Sequence, residues 1–215
     1  MEIALDELCV DELAVIGLSG GGPYALASAY AMPDRVKVVG VLGGVAPSRG
    51  PEGIDGGLVG VATRFAKVLP PLRVPLGGLL SGLILTLRPL GHAGLVAFAR
   101  VSPPGDRAVL QRPEIEAMFL DDLMDTGGRL RAPVDDAILF TRDWGFSLRD
   151  VRIPVKWWHG DADHIVPLAH GEHCVALLPE AELFVRPTES HLGGLGAAKD
   201  VLEVLLATWD SVASA

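Results

Sequence analysis

The feature that most constrains this chain is a run of six apolar residues, LAVIGL at 13–18, that ends directly in SGGG. A run that is apolar at every residue, rather than at every second one, suits a strand covered on both faces, as in a parallel sheet. A helix of small residues is expected from about Gly20 to Met32, stopped by Pro33. RVKVVGVLGG then supplies a second strand, whose terminal glycines let the chain leave the sheet. Two strands joined by a helix pair in parallel through a right-handed crossover. The turn places Ser19 between Gly17 and Gly21, the spacing G-x-S-x-G, which sets a serine on a sharp strand-to-helix corner. A side chain at position 17 or 21 is expected to collide there.

With 215 residues the chain can bury a real core, and one domain over 1–215 is the simplest expectation. Its 18 Lys and Arg against 27 Asp and Glu give a net charge of −9, which argues against a nucleic-acid partner. Cys9 and Cys174 have no metal-binding spacing and form no disulfide framework, so a cytoplasmic setting is expected. The start, MEIALDELCVDEL, lacks the basic residues and apolar run of a signal peptide. The most apolar stretch, Val74 to Leu87, is shorter than the roughly 20 residues that span a bilayer. It reads as a buried or interfacial helix, and no membrane span is expected.

Between about 47 and 145 the chain is rich in Gly, Pro, Leu and Arg, with helical stretches near 56–69, 74–88, 90–101 and 113–126. This region reads as a helical cap inserted between strands of one sheet. The α/β pattern then returns. IPVKWWHG is a strand, Pro167 to Leu178 a helix, AELFVRP a strand, and AAKDVLEVLLATW a final helix.

A serine hydroxyl becomes a nucleophile only beside a base, with a third group orienting that base and donors for the oxyanion. Candidates stand at the strand ends: Ser19 after the first, Asp163 after the third in HGDADHIVP, and His191 after the fourth in PTESHLGG. Sheets of this class place their sites beyond the carboxyl ends of the strands, so the three can converge. Gly20, next to the serine at a helix N-terminus, supplies the oxyanion donor.

Other readings compete for the same segment. His159, Asp161, Asp163 and His164 come near a metallohydrolase pattern, but Asp161 stands where a histidine is needed, so no metal is expected. His170 and His173 share a helical face and read as a solvated surface pair. His159 is expected to be packed or hydrogen-bonded at its strand end, and Asp161 to cap the turn or replace the acid. His92 is expected to be structural within an apolar helix, and Trp157 and Trp158 to point to opposite faces of their strand. The leucines between Leu76 and Leu90 either line an acyl pocket or pack helix on helix.

The segments VIGLSGGGPYALASAYAMPDRVKVVGVLGG, IPVKWWHGDADHIVP and LPEAELFVRPTESHLGGL resemble the α/β-hydrolase fold family, in its esterase and lipase-like branch. The resemblance covers residues 13–47 and 145–210. It implies a mostly parallel sheet with flanking helices and a helical cap insertion. It also implies a Ser19–His191–Asp163 triad with Asp163, rather than Asp161, as the acid, and no cofactor.

Three departures stand out. The family places four strands ahead of the nucleophile, and here there is room for part of one helix. The HG-type loop that carries a second oxyanion donor is missing with them. Ser190 also replaces the usual glycine before the base. The expectation is therefore an N-terminally truncated α/β-hydrolase acting on carboxylic esters of small or medium lipophilic substrates through an acyl-enzyme. The alternative is a catalytically weak or inactive remnant that serves as a binding module, self-associating into a homo-oligomer through an exposed strand edge.

Overall fold

The structure, a computed structural model, describes residues 1–65, 69–125 and 131–214. A short helix α1 (Glu2–Glu7) precedes strand β1 (Leu13–Leu18), helix α2 (Gly21–Ala31) and strand β2 (Val36–Leu42). Six helices follow: α3 (Gly57–Arg64), α4 (Leu69–Leu87), α5 (Gly91–Val101), α6 (Pro104–Leu110), α7 (Pro113–Asp125) and α8 (Arg131–Phe140). The chain then returns to the sheet with β3 (Val155–Gly160), α9 (Leu168–Leu177), β4 (Ala181–Arg186), α10 (Gly193–Gly196) and α11 (Ala198–Ala213).

The four strands lie in the order β1-β2-β3-β4, every neighbouring pair parallel. All carboxyl ends therefore emerge on one side, which is where a site can form. Alternation along β2 and β3 divides the core in two. Val39, Val41 and Trp157 pack with Leu26 of α2 and Cys174 of α9 on one face. Val38, Leu42 and Trp158 pack with Val201 and Leu205 of α11 on the other. The adjacent tryptophans thus serve opposite layers, as period-two alternation requires. β1 forms one edge of the described sheet, with Ile16 45% exposed.

Helices α3–α8 form the cap. α4 and α3 pack on α8, and α5 packs on α6 and α7. The expected helices at 74–88, 90–101 and 113–126 correspond to α4, α5 and α7, and α3 covers the first part of the one expected at 56–69, of which 66–68, like 126, lie outside the described residues; α6 and α8 are additional. α4 begins five residues ahead of the apolar run that marks it in the sequence. With 19 residues it is about 28 Å long at 1.5 Å per residue. By length and composition alone it is long and apolar enough to cross a membrane.

Candidate active site

The corner after β1 is built by close contacts and one strained residue. Ser19 has φ of +54°, a left-handed conformation uncommon for a residue with a side chain. Its amide donates to Leu42 O of β2 at 2.7 Å, which fixes the turn to the sheet. A Cβ on Gly17 would stand 2.3 Å from the carbonyl oxygen of Gly21, so only glycine fits at 17. The expectation for Gly21 is corrected: a Cβ there meets nothing within 4 Å. Gly22 is the confined one, since its Cβ would lie 3.0 Å from Val41 Cγ1 and 3.1 Å from Gly44 Cα. The last glycine of the run, and not the middle one, lets α2 approach β2.

The three sequence candidates meet above the strand ends. Ser19 Oγ lies 2.8 Å from His191 Nε2, and His191 Nδ1 lies 2.7 Å from Asp163 Oδ2. Asp163 Oδ1 accepts the amides of Ile165 and Val166, each at 2.9 Å. Burial by itself would raise the Asp163 pKa, but its hydrogen bond to His191 and the neighbouring amide outweigh it. The carboxyl is held below its ordinary value. An ionised Asp163 accepts from Nδ1–H, which leaves Nε2 free to accept the Ser19 hydroxyl proton.

Two glycines give this chain its room. Gly43, at φ +55° past the end of β2, underlies the pair: a Cβ there would sit 3.5 Å from Asp163 Oδ2 and from His191 Nδ1. Gly160 ends β3 against the loop that carries the histidine, where a Cβ would stand 2.3 Å from Glu189 O.

Beneath the acid, His159 is buried. Its Nδ1 accepts from the Trp157 indole N–H at 3.1 Å, and its Nε2–H donates to Val166 O at 2.8 Å. Burial lowers its pKa, so the ring is neutral, and Nε2 stands 3.6 Å from Asp163 Oδ2. Asp161 lies apart from the chain of contacts and accepts from the Thr188 amide at 2.7 Å, a turn-capping role.

Two histidine expectations are corrected. His170 is not a surface residue: it is 1% exposed, its Nδ1 accepts the Ala46 amide, and burial lowers its pKa. His173 is part-buried, with Nε2 on Glu52 O at 2.8 Å. His92 stands exposed on α5 and pairs with Glu116 of α7 at 2.9 Å, a link between two cap helices in keeping with the structural role expected of it. Among the described residues no group of three His, Cys, Asp or Glu is arranged to hold a metal. Cys9 and Cys174 are both free thiols, and burial pushes the Cys174 thiol up.

The cap reaches the site at two places that the sequence did not indicate. Phe140, the last residue of α8, stands over Gly20, whose Cβ would lie 2.9 Å from its ring. Phe140 also packs on Val45 and Val166. α8 is tied to the helix behind the serine by Tyr24, whose hydroxyl donates to Asp136 at 2.5 Å. Burial, together with that bond and its charge, raises the Tyr24 phenol to about 12.

The second place is Asp106 of α6, 3% exposed, whose Oδ1 accepts the amides of Ser190 at 3.1 Å and Leu192 at 3.3 Å. The carboxylate grips the backbone on both sides of His191. Neither residue has a local signal, because both arrive from elements about 50 to 120 positions away in sequence.

No protein-family model matches the chain, and no curated protein matches it in sequence. Solved structures match it over nearly its whole length. A bromoperoxidase from Bacillus anthracis is similar with a TM-score of 0.63 at 20% identity, covering 97% of this chain and 71% of that one. A thermophilic esterase from Thermogutta terrifontis is similar with a TM-score of 0.62 at 16% identity, covering 97% and 69%. MGS-M2, an alpha/beta hydrolase enzyme from a Medee basin deep-sea metagenome library, is similar with a TM-score of 0.60 at 17% identity, covering 97% and 69%.

Proposed function

Taking the α/β-hydrolase fold of this chain as the premise, we propose that it hydrolyses carboxylic esters of small or medium lipophilic substrates through an acyl-enzyme on Ser19. The observation that carries this reading is the continuous contact from Ser19 Oγ through His191 to Asp163, at 2.8 and 2.7 Å. Ser19 Oγ attacks the ester carbonyl carbon while His191 Nε2 takes its proton. Asp163 holds the ring in the tautomer that leaves Nε2 unprotonated, and stabilises the imidazolium that forms. The carbonyl oxygen, now an oxyanion, is met by the Gly20 amide at the start of α2. His191 returns the proton to the leaving alcohol. Water, deprotonated in turn by His191, then attacks the acyl carbon and releases the acid and Ser19.

The apolar character of the cap and the Phe140 ring over Gly20 favour a lipophilic substrate. The test is labelling of the purified protein with a fluorophosphonate, read by intact mass, beside Ser19→Ala. Stoichiometric labelling that vanishes in the variant is the expected result. A folded protein that never labels overturns the proposal and leaves a binding role.

A further inference from the structure

Helices α4 and α5 carry an unusual exposure of large apolar side chains. Leu72, Leu79, Leu83 and Leu87 follow one another by seven, four and four residues, so at 3.6 residues per turn they share one side of α4. All four are exposed, Leu79 by 69%. Leu90 just beyond α4 is 59% exposed, and Val101 at the end of α5 is 81% exposed. An apolar groove of about 570 Å³ lies between α5 and α7 and takes in Leu87 and Leu90. α4 is packed on α8 and α5 on α6 and α7, so the exposed side of this pair lacks an apolar neighbour among the described residues. Contiguous apolar surface of this kind marks an interaction site.

Charge selects the occupant. Residues 57–112 contain seven Lys and Arg and a single acidic residue, Asp106. The rest of the chain contains eleven Lys and Arg against twenty-six Asp and Glu. Asp106 is buried against Ser190 and Leu192, so the exposed charges among the described residues of this segment, Arg64, Arg73, Arg100, Arg107 and Arg112, are basic, while the acidic residues of α7 stand at the far wall of the groove. In a chain of net charge −9, α4, α5 and the short link between them carry Arg73, Arg88 and Arg100 and no acidic residue, so this pair of helices is the part with exposed leucines that favours an anionic surface. A second copy docking through the same face would set basic segment against basic segment. A transmembrane placement would strip α4 from α8.

We propose that the α4–α5 face docks on the surface of an anionic phospholipid bilayer, with the leucines among the acyl chains and the exposed Arg73 and Arg100 at the headgroup level. Docking needs neither Ser19 nor ester turnover, so it stands or falls separately from the hydrolytic activity.

The test is co-sedimentation of the full chain with phosphatidylcholine vesicles, with and without about 30 mol% phosphatidylglycerol. At least about tenfold more protein is expected on the anionic vesicles, with most of it released by about 0.5 M salt. Leu79→Glu/Leu83→Glu is expected to abolish binding, and Arg73→Glu/Arg100→Glu to reduce it about tenfold. All four positions are solvent-facing, and circular dichroism melting checks that the variants fold. Absence of vesicle binding by the folded parent chain overturns the proposal. So does binding that both variants retain, or a dimer in light scattering that Leu79→Glu/Leu83→Glu dissolves while the parent ignores vesicles.

Discussion

The carboxylate of Asp106 lies 3.1 Å from the backbone amide of Ser190, the residue that precedes His191. A helix of the cap therefore sets the position of a loop that belongs to the sheet. Truncation in Asp106→Ala removes the acceptor of the buried Ser190 amide and of the part-buried Leu192 amide, a loss of about 1–3 kcal/mol. It also frees His191 to drift from Ser19. For hydrolysis of a soluble p-nitrophenyl ester, kcat is expected to fall about ten- to a hundredfold with KM little changed. Asp106→Asn keeps an acceptor oxygen and is expected to recover most of the activity. Equal kcat in Asp106→Ala at matched stability sinks the idea.

The two glycines that flank Ser19 are expected to respond in opposite ways. Gly17→Ala drives a methyl into the Gly21 carbonyl, 2.3 Å away, where only backbone can yield. A loss of about 2 kcal/mol or more is expected. Gly21→Ala enters open space at the first residue of α2 and is expected to be neutral or to stabilise by up to about 1 kcal/mol. Urea unfolding of both variants decides the matter, and similar losses in the two would contradict the packing described.

Gly20 and Phe140 should be energetically coupled. Gly20→Ala presses on the Phe140 ring, the movable end of a side chain, and is expected to cost about 1–2 kcal/mol. In a Phe140→Leu background that cost should largely disappear. A double-mutant cycle with additive effects counts against Phe140 as the wall over Gly20.

Acid should weaken the fold in two stages. His159 and His170 are buried and held below the ordinary histidine value of 6.5, while in the unfolded chain they titrate near it. The unfolded state thus binds more protons below that value. The stability these rings confer is complete above about pH 6.5 and is lost as pH falls below it. The slope approaches about 1.4 kcal/mol per pH unit for each ring. Asp163, held below its ordinary 3.8, contributes stability that is present above that value and lost as pH falls through its lower folded value. Urea midpoints at pH 8, 6 and 5 should fall in that order, and His170→Asn should flatten the trend. Midpoints unchanged from pH 8 to 5 contradict the burial of both rings.

The parts of the molecule that could be read from sequence are those whose partners are close in the chain or fixed by strand alternation. The strand–turn–helix around Ser19, the split of Trp157 and Trp158 between two layers, and the positions of Ser19, Asp163 and His191 at strand ends are of that kind. The misreadings have a common physical origin. Spacing puts His170 and His173 on one helical face, but it does not say whether that face meets the sheet or water. G-x-S-x-G names Gly17 and Gly21 symmetrically, yet the helix axis brings Gly22, one position on, against β2. Phe140 and Asp106 reach the site only through packing of the cap, and no pattern in their own neighbourhoods encodes it.

Ser19 follows β1, Asp163 follows β3 and His191 follows β4, while Gly43 at the end of β2 lies beneath the last two. The three hydrogen-bonded side chains therefore bridge the full width of the described sheet, from one edge strand to the other, like a strap across its top. Sheet twist becomes the ruler that sets their spacing. Rotating any strand about its neighbour changes the distance between Oγ and Nε2, so substitutions deep between β2 and β3, such as at Val41 or Trp157, can detune the serine without touching it.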